Sequence, residues 1–321
     1  MEFIRFSPDE LYCIKMGYEE VTNLDSCDLR IYRDFLESEF IDSGLWNVLL
    51  LSEPKCVMPW QYQKNVLDKF DLVVTFGPWR AKNLSVSNWV WQPYDWRTYE
   101  VKSVSTKRDS IVLVNSNKFG MGKSSMYGLR RETIRLLDTN NIKLSVYGHN
   151  WNMPLSLQIR KRFYAFRKSV RYLGNSNIRE SLLGIATPPE NYFGPCEDKL
   201  ETISRYTFCL VIENDLDSLS EKLFDAIAAQ AIPIYIGPPL EGLDFLERCL
   251  IRSKPNAKAI LETYQTISRA DIDRARQGIL YFHRNLKHIS EWKTSSVMTK
   301  LGKLIGQSLE QQQTKTLNLE E

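Results

Sequence analysis

The sequence predicts an α/β protein with parallel sheets in two domains, on three observations. Tyr206 to Pro239 reads as strand, loop, helix and strand. Two short apolar runs closed by turn residues, Val48 to Leu51 and Phe70 to Phe76, stand in the N-terminal half. A fresh strand-and-helix unit opens at Ile111, after a stretch with no hydrophobic period. Strands alternating with helices over such lengths imply crossover connections and parallel pairing.

Taken in order, residues 1 to 45 read as mixed strand and helix, with Asp28 to Phe40 an amphipathic helix that carries no chemistry of its own. Val48 to Leu51 is a buried strand stopped by Ser52-Glu53-Pro54, so Glu53 projects from a strand's carboxyl end. A carboxylate there is placed for proton transfer; the competing reading is a water-exposed loop residue. Phe70 to Phe76 is the next strand. Trp79, Trp89, Trp91 and Trp96 then cluster with Tyr94 and Tyr99, as a core plug or as a surface for sugar rings. Val101 to Ser110, polar and aperiodic, is the linker, giving an N-terminal domain over 1–104, a C-terminal domain over 105–300 and a polar tail over 301–321.

In the second domain, Ile111 to Val114 is a strand and Ser124 to Leu137 a helix, with Arg130, Arg131, Glu132 and Arg135 off its apolar face, where most arginines are solvated. Ile142 to Tyr147 is a strand ending in Gly148. Asn150 to Pro195 is basic with few structural signals, densest from Arg160 to Arg171, and no stretch reads as a basic membrane-anchoring helix. Asp198 to Ser204 is a helix leading into the strand Phe208 to Ile212. That strand ends in Glu213-Asn214 and is followed by Ser220-Glu221-Lys222, a helix with Leu223, Phe224, Ile227, Ala228 and Ala231 at helical spacing, and the strand Ile232 to Ile236. Ligands of open parallel sheets sit beyond the carboxyl ends of the strands, where Glu213, Asn214 and Gly237 fall. Glu221 and Lys222 occupy the first helical turn, which favours an anion such as a phosphate. Ser218 and Glu221 also have capping-box spacing, so Glu221 reads equally as a cap. Helices over Ala259 to Ile267 and Ala270 to Leu286 complete the domain.

The chain has 321 residues, and 42 basic against 39 acidic residues leave a net charge of +3, which argues against a dedicated nucleic-acid binder. Its 6 cysteines are scattered without a C-x-x-C pair, as expected of reduced thiols in the cytoplasm. The N-terminus lacks a signal-peptide pattern, and no apolar window is long enough to span a bilayer.

The string Glu213-Asn214, a short turn, Ser220-Glu221-Lys222, an apolar helix and IPIYIG resembles the donor site of the inverting α1,3-fucosyltransferases. The loop LSEPKCVMP after the first strand resembles the same family's acceptor half. The resemblance implies a GT-B type fold, two Rossmann-like domains facing each other across a cleft, with GDP-fucose as donor, a glycan as acceptor and no required cofactor. It assigns Glu53 as general base and Arg130, seven residues before Leu137, to the donor pyrophosphate, with Arg131 as the fallback. Lys222 adds a second positive charge, Asn214 and Glu221 hold ribose or sugar hydroxyls, Glu213 belongs to the same motif, and Tyr147-Gly148 approaches the nucleotide. The turn before Glu221 is shorter than the family's usual one, and Ser218 stands where members often carry a donor-contacting Tyr.

Two other readings stay open. Asp215-Leu216-Asp217 has the DxD form that holds a nucleotide-bound metal in other glycosyltransferases. A protein that keeps this fold and binds nucleotide sugar or glycan without turnover is the third.

Overall fold

A computed structural model describes residues 29–35, 41, 46–76, 87–89, 108–174, 188–240 and 243–285, with isolated positions between 299 and 310. The Trp-rich cluster lies outside these residues except for Trp89, as does most of the polar tail. The chain divides into two compact units, Met1–Trp96 with His288–Glu321, and Arg97–Lys287.

In the first unit, strands β1 (Leu29–Arg33), β2 (Trp46–Leu51), β3 (Leu72–Phe76) and β4 (Ser87–Trp89) form one parallel sheet in that order. A short helix, α1 (Lys64–Leu67), lies between β2 and β3. The helix expected over Asp28 to Phe40 is therefore corrected to a strand over Leu29–Arg33, and the rest of that stretch beyond Phe35 lies outside the described residues. Ile31 and Tyr32 suit a pleated surface better than a helix. Tyr32 packs edge-on against Phe35 and Phe70, at ring-centroid distances of 6.0 and 5.3 Å, above Leu49 and Leu51. Asp34, with φ of +59°, ends the strand in the left-handed region that short polar residues tolerate.

The second unit holds β5 (Arg108–Val114), α2 (Tyr127–Thr139), β6 (Leu144–Tyr147), α3 (Leu155–Leu173), α4 (Lys199–Ser204), β7 (Tyr206–Ile212), α5 (Glu221–Ala228) and β8 (Ile232–Ile236). It closes with α6 (Asp244–Glu247), β9 (Ile251–Arg252), α7 (Ala257–Thr266) and α8 (Arg269–Arg284). Its five strands are all parallel, in the order β6-β5-β7-β8-β9. Every residue of β7 and β8 is buried, as continuous apolar runs in a parallel sheet require. The expected linker gives up Arg108 to Ser110 to β5, whose register shifts between Arg108 and Ile111; that irregularity hid the strand's start from the sequence pattern. Helix α3 was not foreseen at all.

The strand order reverses between β5 and β7, because the chain moves outward from β5 to β6 and then returns to the other side. Loops leaving the carboxyl ends of two such strands diverge, and the gap between them is where doubly wound sheets take ligands. Among the described residues no helix is long and apolar enough to cross a membrane. Cys209 and Cys249 are buried free thiols whose pKa burial pushes up to about 12.

Candidate functional site

Two loops meet at the switch point, the one after β5 and the one after β7, and they are joined to each other by hydrogen bonds. Met126 N–H donates to the Asn214 carbonyl at 3.0 Å, and Leu216 N–H to the Ser124 carbonyl at 3.2 Å. Ser124 Oγ donates to Asp215 Oδ2 at 2.9 Å, while Asp215 Oδ1 accepts from Asp217 N–H at 3.1 Å. Asp215 is only 1% exposed. Oδ2 of the DxD-like string's first residue thus fastens one loop to the other while Oδ1 closes the turn within its own loop, a structural duty that accounts for a buried aspartate.

Arg130 lies one turn into α2 and is 2% exposed, unlike the solvated arginine usual off a helix's apolar face. Its Nη2 donates to the carbonyls of Ile212 at 2.7 Å and Glu213 at 2.8 Å, and to Asn214 Oδ1 at 2.9 Å. Nε donates to the Ile212 carbonyl at 3.2 Å, and the guanidinium lies over the Tyr127 ring at 4.6 Å. The planar fork holds the carbonyls at the end of β7 and fixes the Asn214 amide. Arg131 is 6% exposed, donates to the Lys118 carbonyl at 2.8 Å and lies over the Phe119 ring at 4.7 Å.

The motif's remaining polar residues converge at the start of α5. Ser220 is the N-cap, its Oγ accepting from Lys222 N–H at 3.4 Å, which corrects the capping box expected of Ser218 and Glu221. Ser218 is two residues too early; it is buried, and its hydroxyl has no hydrogen-bond partner. Glu213 is fully buried and accepts from Ser220 N–H at 3.1 Å and from Ser220 Oγ at 2.5 Å. Lys222 Nζ reaches Ser220 Oγ at 2.7 Å and Glu213 Oε2 at 3.5 Å. Buried carboxylate, hydroxyl and ammonium form one relay, so the Glu213 charge is compensated where it sits.

Glu221 has a different partner. Lys199, from the first turn of α4, pairs with the buried Asp225 and lies 3.5 Å from Glu221 Oε1. Burial works against the Lys199 ammonium, but Asp225 and Glu221 outweigh it and raise its pKa. Burial likewise pushes the Glu221 carboxyl up, and Lys222 and Lys199 overcome this to hold it at about 2. Glu221 is therefore an anion at any physiological pH. Lys199 was missed in the sequence, and Ser220 was read as part of the motif without its cap role. Ser220 stands directly before the helix, a readable cap signal, whereas nothing local links Lys199 to a residue twenty-two positions later.

Gly148 has φ of +128°, and a Cβ there would lie 2.2 Å from the Asn115 carbonyl oxygen, so the turn after β6 presses against the turn after β5. Tyr147 stacks on Phe193 with ring centroids 5.2 Å apart, and its hydroxyl lies 3.2 Å from that of Tyr206.

In the first unit, Glu53 is exposed at the carboxyl end of β2, as read from the sequence. Its loop is held by a clamp that the sequence did not disclose. Asp34 Oδ1 accepts from Glu53 N–H at 2.8 Å and from Gln61 Nε2 at 3.0 Å, and Gln61 Oε1 accepts from Phe35 N–H at 2.8 Å. Tyr62 donates its hydroxyl hydrogen to the Glu53 carbonyl at 2.8 Å. Burial raises the Asp34 pKa against the pull of these hydrogen bonds.

No protein-family model matches the chain, and no curated protein matches its sequence. Solved structures do. A glycosyltransferase from Rickettsia africae ESF-5 superposes with a TM-score of 0.51 at 10% identity, over 96% of this chain and 84% of that one. A trehalose-phosphate synthase from Burkholderia xenovorans gives 0.49 at 12% identity over 88% and 73% of the two chains. An α1,3-fucosyltransferase with GDP gives 0.47 at 14% identity over 94% and 84%. At such identities a likeness speaks to architecture alone, and the fold is the α/β, two-unit, Rossmann-like GT-B type.

Proposed function

We propose that the chain is an inverting glycosyltransferase that moves fucose from GDP-fucose to a hydroxyl of an acceptor glycan in α1,3 or α1,4 linkage. The observation that carries this reading is the start of α5 at the carboxyl edge of a doubly wound sheet. Ser220, Glu221 and Lys222 occupy its cap and first turn beside Glu213 and Asn214, the places the fucosyltransferase motif gives them.

In this reading the donor's diphosphate lies against Lys222 at the first turn of α5, with Arg130 adding charge behind Asn214. Asn214 and Glu221 hold ribose or sugar hydroxyls, and the Glu221 anion also faces positive charge developing on the fucosyl ring. The turn at Tyr147-Gly148 approaches the nucleotide. Glu53 takes the acceptor proton. A nucleoside diphosphate is a weakly basic leaving group, so a second carboxylic acid to protonate it is unnecessary.

The test is purified protein with GDP-fucose and a panel of galactose- and N-acetylglucosamine-containing oligosaccharides, read by mass, with and without EDTA. Glu53→Gln is expected to keep donor affinity and lose roughly 10²-fold or more in transfer rate. Preference for another nucleotide sugar overturns the fucose assignment and leaves the transferase. Activity lost in EDTA favours the metal-dependent reading, and transfer unaffected by Glu53→Gln removes the base.

A further inference from the structure

Helix α3 is amphipathic the wrong way round. The residues it buries are Gln158, Arg162, Ala165 and Ser169, a narrow and mostly polar stripe. Arg162 lies over the Phe119 ring at 5.3 Å, and Ser169 Oγ accepts from Gly122 N–H at 3.2 Å, so this stripe fixes the helix to the loop after β5. The large apolar side chains point away. Leu155, Ile159, Phe163 and Val170 are 50%, 54%, 61% and 47% exposed, and their spacing of four, four and seven puts them in one row. An exposed apolar row of this kind marks an interaction surface.

Charge says which kind. Arg160, Arg167 and Arg171 run along one flank of the row and are exposed, Lys161 and Lys168 lie further round, and α3 contains no Asp or Glu. A protein partner would have to set an acidic group against each arginine at a fixed spacing. An anionic lipid surface offers mobile headgroups at any spacing, and it accepts Phe and Ile at the depth of the upper acyl chains.

We propose that α3 lies flat on an anionic bilayer surface, with Leu155, Ile159, Phe163 and Val170 in the acyl boundary and Arg160, Arg167 and Arg171 on lipid phosphates. The stretch carries no apolar run long enough to read as an anchor; the membrane face emerges only because the fold buries the polar stripe.

Co-sedimentation of the full chain with vesicles tests this, using phosphatidylcholine alone and phosphatidylcholine mixed with phosphatidylglycerol. The chain is expected to partition onto the anionic vesicles and to be released by salt. The double substitution Ile159→Asp and Phe163→Asp is expected to lower partition at least about tenfold. Replacing Arg160, Arg167 and Arg171 by Ala is expected to lower it about a hundredfold. All five positions are exposed, so the melting temperature should hold in each variant, and a Phe163→Trp reporter should shift to the blue only with anionic vesicles. The proposal is overturned by no partition of the wild type, by partition indifferent to positions 159 and 163, or by a lipid-free dimer that Phe163→Asp dissociates, which would give the face to a second copy.

Discussion

Asp34 accepts the main-chain N–H of Glu53 at 2.8 Å, so the carboxyl end of β1 holds the carboxyl end of β2 by a side chain in left-handed backbone. The residue that presents a carboxylate to solvent is thus fixed by one that is largely hidden.

Asp34→Asn keeps the acceptor oxygen, the conformation and the two donors, and removes the charge. Because the folded pKa of Asp34 is raised, its contribution to stability is complete below the unfolded value near 3.8 and declines as pH rises through the folded value. Asp34→Asn should flatten that decline and be at least as stable as wild type at neutral pH. Asp34→Ala should cost about 1–2 kcal/mol and speed amide exchange at Glu53. Melts across pH and hydrogen exchange read both.

Arg130 bonds four times to the end of β7 from a site with almost no solvent. Arg130→Met should lower stability by about 2–4 kcal/mol, because two buried carbonyls lose their donors. Arg130→Lys keeps the charge but not the fork, and should recover only part of the loss in a urea melt.

Lys199→Met leaves Asp225 as a buried carboxylate without its cation, and should cost about 3–5 kcal/mol. Lys199→Met with Asp225→Leu should recover most of it. The single change also removes one of the two attractions on Glu221, so the Glu221 pKa should rise from about 2 toward 4.5 in a carbon-detected NMR titration. The stability that Glu221 contributes is present above 4.5 and lost as pH falls toward 2, and at 43% exposure solvent screens much of it.

Gly148→Ala should be among the most damaging small changes. It sets a methyl group against the Asn115 carbonyl and places alanine at φ of +128°, so reduced expression or a lowered melting temperature is expected.

The parallel sheet, β7, α5 and β8 were legible because their apolar runs are long, their breaks are polar, and both periods are present in one short stretch. Legible too was the placing of Glu221 and Lys222 in the first turn of α5, since three of the four residues from Leu219 to Lys222 are polar and close a loop between strand and helix. Arg130 was legible as a position and not as an environment: helical spacing put it off the apolar face, yet the facing strand end supplied carbonyls instead of water. Helix α3 escaped because its apolar row is interleaved with cations and its buried row is polar, the reverse of the pattern that signals a packed helix. The Asp34 clamp escaped because nineteen residues separate acceptor from donor and only the sheet's register unites them.

The stitch between Ser124 and Asp215 means that the rim of the second unit is held in place by the chain's own hydrogen bonds. A ligand landing there meets a preorganised edge and gives up little freedom to order it, so tight association can come from few contacts. On the proposed function, Asp215→Ala should then weaken nucleotide-sugar binding mainly by slowing capture, since some of the ordering would be deferred to the encounter.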